Sequence, residues 1–155
     1  MGLFGGPKKD ERGLKAGFRE MKWGEPPRPG MTLLEESGDD RFYTTVGDDL
    51  EFGGAPLNRI IYKYFQNRLC EVQIEIPPAS VDPVFRHLTA EWGKPDRPNR
   101  FIEDYGWQND KLGVEGSVAS FSRNPNTRAA VLLIQSRYIL AKRTLSPSSP
   151  APART

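Results

Sequence analysis

Few side chains in this sequence are equipped for chemistry, and their spacing limits what they can do. There is one histidine, His87, and one cysteine, Cys70, so a site built on two imidazoles, an internal disulfide and a four-cysteine zinc site are all excluded. On a helix expected over 82–92, His87 falls about 120° from the centre of the apolar face. Glu91 lies four residues on as an ion-pair partner, so the spacing predicts a surface histidine. Cys70 shares the strand parity of Val72, Ile74 and Ile76, which predicts an inward, structural thiol rather than a nucleophile. Among the 20 acidic residues, Glu71 and Glu75, or Glu103 and Asp104, are candidate acid–base pairs. Glu71 and Glu75 alternate with apolar residues, however, as on the solvated face of a sheet. Gly38-Asp39-Asp40 recurs nine residues later as Gly47-Asp48-Asp49, which suggests calcium-binding nonapeptide turns. The apolar position of that repeat is Phe42 in the first unit but Glu51 in the second, so the pair reads instead as two acidic turns. No glycine-rich phosphate loop and no Gly-x-Ser-x-Gly elbow is present. The sequence therefore assigns no catalytic residue, no cofactor and no metal ligand set.

Charge is unevenly spread. Residues 1–115 hold 16 basic and 20 acidic side chains, whereas after Glu115 there is no acid and Arg123, Arg128, Arg137, Lys142, Arg143 and Arg154 follow. Arg137, Lys142 and Arg143 are the candidate contacts for a polyanion. The stretch is sparser in basic and aromatic residues than a nucleic-acid surface requires, so nucleic acid is not the expected partner.

Aromatic pairs form the other candidate surface. Tyr62 and Tyr64 lie on one side of a strand, and Tyr105 and Trp107 on one side of another. Facing solvent, they would form a ligand- or partner-docking surface. Facing a helix, they would be core, the use favoured where aliphatic residues are scarce.

The elements that must position these residues are mostly strands. Met31–Glu35 and Arg41–Val46 flank a turn at Ser37-Gly38-Asp39-Asp40, Leu50–Phe52 precedes a Gly-Gly-Ala-Pro breaker, and Arg59–Phe65 turns through Gln66-Asn67-Arg68 into Leu69–Ile76. Phe101–Trp107, Leu112–Phe121 and Arg128–Gln135 complete the set. Asp82 as cap, Pro83 at the first helical position and Gly93-Lys94-Pro95 as a stop bound the helix. Its Val81, Val84, Phe85, Leu88 and Trp92 share a face that should lie on the sheet. Leu14, Phe18 and Met21 predict a second helix over 10–21. The expected fold class is α+β, a mainly antiparallel sheet of about six to eight strands with helix 82–92 packed on it. Residues 1–11 read as a flexible leader, 12–138 as one domain, and 139–155 as a disordered basic tail rich in Pro and Ser. No apolar run reaches the length of a membrane span and no secretory signal is seen, so a cytoplasmic protein without a membrane partner is expected.

The run Gly17-Phe18-Arg19-Glu20-Met21-Lys22-Trp23-Gly24 resembles the Phe-Arg-Gly-Ile-Lys-Trp-Gly-like opening of a group of small bacterial proteins of unassigned function. Arg41-Phe42-Tyr43-Thr44, Ile61-Tyr62-Lys63-Tyr64-Phe65, Trp92-Gly93-Lys94-Pro95 and Asn99–Trp107 extend the likeness over about residues 17–121. It departs at Glu20, where the pattern has Gly, and in the Pro-rich insert after Gly24. The resemblance implies a bacterial source and a compact strand-rich domain, and brings no catalytic residues with it. The expected function is a non-enzymatic binding or protein-interaction module, with self-association through an exposed strand or aromatic surface as its simplest form. The alternatives are a carboxylate-based enzyme and a polyanion binder acting through the basic C-terminal segment.

Overall fold

The computed structural model describes residues 17–19, 21–97, 103–107 and 117–136. The strands are β1 (Gly17–Phe18), β2 (Met21–Lys22), β3 (Met31–Ser37), β4 (Asp40–Thr45), β5 (Glu51–Phe52), β6 (Ala55–Pro56), β7 (Arg59–Phe65), β8 (Arg68–Ile76), β9 (Asp104–Trp107), β10 (Ser117–Arg123) and β11 (Ala130–Ser136). The helix α1 (Pro78–Trp92) lies between β8 and β9. Seven strands form one antiparallel sheet in the order β3-β4-β7-β8-β11-β10-β9, and β1-β2 and β5-β6 are separate two-stranded ribbons. The chain is an α+β protein.

The core fills the space between α1 and one face of the sheet. From the helix come Val81, Val84, Leu88 and Trp92; from the central strands come Ile60, Tyr62, Tyr64, Leu69, Val72, Ile74, Ile76, Leu132 and Ile134. Aromatic rings carry much of this packing, because each buries more area than an aliphatic side chain. Trp92 meets Trp107 edge-on with centroids 5.2 Å apart, and Trp107 Nε1 donates to the Gly93 carbonyl at 2.8 Å. That bond satisfies a buried indole and a carbonyl at the helix end together.

Three local expectations are corrected. The helix begins at Pro78, a turn before Asp82, with Pro77 as cap and Ser80 N–H donating to the Pro77 carbonyl at 2.9 Å. Pro78 occupies the first turn, where a missing N–H costs nothing, and Pro83 is carried inside the helix. Of the helix expected over 10–21, the described residues 17–18 and 21–22 form instead the antiparallel ribbon β1-β2, with Gly17 opposite Lys22 and Phe18 opposite Met21. Arg19 turns it at φ 56°, a left-handed conformation that no right-handed helix contains. Residues 10–16 lie outside the described residues. Cys70 is buried as expected, but with Phe65, apart from the main core. A bulge explains this: Lys63 pairs with Glu71 while Tyr64 pairs with Leu69, leaving Cys70 as an extra residue in β8. The inserted residue reverses the strand's parity, so Leu69 takes the helix side and Cys70 the other.

Candidate interaction surface

The two edges of the large sheet are finished differently. At the β9 edge, Asp96 forms a bridge to Gly106: Asp96 N–H donates to the Gly106 carbonyl at 2.8 Å, and Gly106 N–H returns a bond to the Asp96 carbonyl at 2.9 Å. At the other edge is β3, seven residues long, for which β4 is the one strand partner among the described residues. Six of those seven residues are exposed. Leu33 and Leu34 each show 44% of their surface to solvent, and Val46, just past the end of β4, shows 79%. An edge of this length with apolar side chains is a template for another strand, because its outward N–H and C=O groups have no ladder partner among the described residues.

Local chemistry holds β3 in place while leaving it open. It pairs with β4 from Met31 opposite Thr45 to Ser37 opposite Asp40, through a turn with Gly38 at φ 63°. Leu34 is an extra residue between the Leu33–Tyr43 and Glu35–Phe42 pairs. Met31 packs against the core, and its Sδ accepts a hydrogen bond from the Tyr64 hydroxyl at 3.3 Å. Tyr43 stands edge-on to Tyr64 at 5.3 Å, so the underside of the β3-β4 ribbon is anchored to β7. The ribbon is acidic: Glu35, Glu36 and Asp39 are exposed on it and Asp40 is buried, while its one basic residue, Arg41, lies 3.8 Å from Glu36.

The aromatic residues singled out as a ligand or partner surface are placed otherwise. Tyr62, Tyr64 and Trp107 are buried in the core, and Tyr105 is half-buried beside them. Phe85 of α1 packs against Tyr105 and Trp107, whereas Tyr62 packs against Phe18 and Tyr64 against Tyr43, so Tyr62, Tyr64 and Trp107 serve the core. Tyr62 donates its hydroxyl to Asp48 Oδ2 at 2.7 Å; Asp48 Oδ1 also receives Arg19 Nη1 at 3.2 Å. Arg19 further donates to the Asp49 carbonyl at 2.9 Å and stacks over Phe18 and Phe52. The second acidic turn is thus held to the β1-β2 ribbon and to β7. Burial and the neighbouring Asp48 carboxylate raise the Tyr62 hydroxyl well above the ordinary tyrosine range, and burial with Glu25 nearby does the same for Tyr64. Tyr105 packs against Phe85 at 4.7 Å, with the Arg97 guanidinium 5.2 Å above its ring. Arg137, Lys142 and Arg143, the polyanion candidates, lie outside the described residues.

The remaining chemically capable groups sit in structural contacts. His87 is half-buried and packs on the β5-β6 turn so closely that a Cβ on Gly53 would lie 3.0 Å from its Cγ and Nδ1. Glu71 is 4% exposed; it accepts a hydrogen bond from Gln73 Nε2 and another from Gln135 Nε2, the latter at 2.7 Å. A cleft of about 450 Å³ opens beside the β10-β11 turn, lined in part by Asn58, Glu75, Ser122, Arg123, Asn124 and Thr127. Its charged groups are engaged: both Glu75 oxygens accept from Arg59, at 3.3 and 3.0 Å, and Arg123 lies 3.2 Å from Glu103 and 3.7 Å from Asp82. Among the described residues no three His, Cys, Asp or Glu side chains converge at metal-binding distances, and no helix is long and apolar enough to cross a membrane. Set against protein-family models, curated proteins and solved structures, the chain matches none.

Proposed function

We propose that this chain is a non-enzymatic interaction module that engages its partner by strand addition at β3, with self-association as the simplest form. The supporting observation is the contrast between the sheet's edges: β9 is bridged by Asp96, whereas β3 runs exposed over six of its seven residues with Leu33 and Leu34 outward. In strand addition, main-chain hydrogen bonds supply affinity and the alternating side chains supply selectivity. The charged groups of the cleft are already paired, which favours binding over proton transfer. Sedimentation of the full chain from micromolar to millimolar concentration tests the reading. The expected result is a mass that rises above 17.4 kDa and returns to the monomer value for Leu34→Lys, because a lysine on the edge opposes strand addition. Association that Leu34→Lys leaves unchanged would overturn it.

A further inference from the structure

Building on that reading, we infer that the occupant of the β3 edge is the basic segment 137–143 of a second copy of this chain. Arg137-Tyr138-Ile139-Leu140-Ala141-Lys142-Arg143 comes directly after β11. It places strand-forming Tyr and Ile between basic ends. The edge it would join carries the opposite sign: Glu35 and Glu36 on β3 and Asp39 in the turn after it are exposed, with exposed Asp49 and Glu51 a few residues beyond the ribbon. Opposite charges across a strand pair are favourable, and like charges are not. An acidic ribbon therefore selects a basic strand over a second acidic ribbon, which disfavours β3 pairing with β3.

Chain geometry separates a second copy from the chain's own tail. In the sheet order β3-β4-β7-β8-β11-β10-β9, β3 stands four strand spacings from β11, so a strand added outside β3 stands at the fifth. That is about 24 Å, which about seven residues of extended chain are needed to cross. Residues 137–143 would be used up in the crossing. The next residues, Thr144-Leu145-Ser146-Pro147-Ser148-Ser149-Pro150-Ala151-Pro152, include three prolines that cannot donate to a ladder. The strand-competent segment of a chain thus falls short of lying along its own edge, while a neighbouring molecule presents the same edge without that constraint. Reciprocal exchange between two copies satisfies both edges and closes the assembly about a two-fold axis.

The test is sedimentation of full chains across concentration, at low and high salt, for the wild type, Leu34→Lys, the triple reversal R137E/K142E/R143E, and that triple combined with E35K/E36K. The expected pattern is association of the wild type that weakens with salt, loss of association in Leu34→Lys and in the triple variant, and its recovery in the charge-swapped combination. If Leu34→Lys dissociates the assembly and the triple variant does not, the edge reading stands and the basic segment is not its occupant. If the triple variant dissociates it and Leu34→Lys does not, both fail. A wild type that stays at 17.4 kDa throughout overturns the second-copy occupant. So does a triple variant that loses retention on heparin while its mass profile is unchanged, which would assign those residues to a polyanion.

Discussion

The Tyr64 hydroxyl donates to Met31 Sδ across 3.3 Å, joining β7 to the first residue of β3 over the strand between them. An aromatic ring in the middle of the sheet thereby fixes the strand at its rim. The relationship reconciles two properties of β3 that would otherwise conflict, an ordered backbone and an exposed outer edge. The inner side is anchored by Met31, Tyr43 and Tyr64, and the outer side carries no further strand among the described residues.

Alkaline pH should destabilise the protein through its buried tyrosines. Tyr62 and Tyr64 are both raised in the folded state, mainly by burial. Below about pH 10 both folded and unfolded forms hold these protons, and the stabilisation is fully present. Above it the unfolded chain releases them first, so the folded state binds more protons and stability falls as pH rises. Each tyrosine should contribute a slope of up to about 1.4 kcal/mol per pH unit. Urea midpoints measured between pH 8 and 11 check this, and Tyr62→Phe should flatten the fall. A pH dependence identical in Tyr62→Phe and wild type would contradict it.

Gly53→Ala should cost about 2–4 kcal/mol, combining overpacking with a left-handed backbone at φ 55°. The added methyl would stand 3.0 Å from His87 Cγ and Nδ1. A double-mutant cycle with His87→Ala, read from urea midpoints, should recover part of the loss, since removing the imidazole relieves the contact but not the backbone strain. Strict additivity of the two substitutions would show that His87 does not set the constraint.

Glu71→Ala should destabilise by about 2–4 kcal/mol, because the side-chain amides of Gln73 and Gln135 lose the carboxylate they donate to. Glu71→Gln retains an acceptor oxygen and should cost less. Chemical denaturation of the two variants ranks them, and equal losses would mean that the cost arises from packing and not from the hydrogen bonds.

Much of the fold can be read from the residues, and the failures have identifiable causes. Arg59–Phe65 is a strand over the expected span, because its β-branched and aromatic content and the Gln66-Asn67 turn agree. The parity of β8 fails at Cys70, where a bulge inserts one residue that no local pattern announces. The helix start fails because two proline signals compete, and Pro83 looks like a first-turn residue when Pro78 fills that role. The arginine turn of β1-β2 is hidden because Leu14, Phe18 and Met21 also satisfy a helical period. For the candidate surface, the composition of β3 is legible but its place at the rim is not, since strand order depends on pairings far apart in the chain. The aromatic strands pose the same problem: periodicity groups Tyr62 with Tyr64 without saying which face α1 covers.

The central claim, that β3 is an open pairing edge, is tested most directly by amide hydrogen exchange over residues 31–37 as concentration is raised. Protection at these amides should climb in step with the mass of the wild-type chain and stay at its dilute level in Leu34→Lys. Association with no added protection between Met31 and Ser37 would contradict the account.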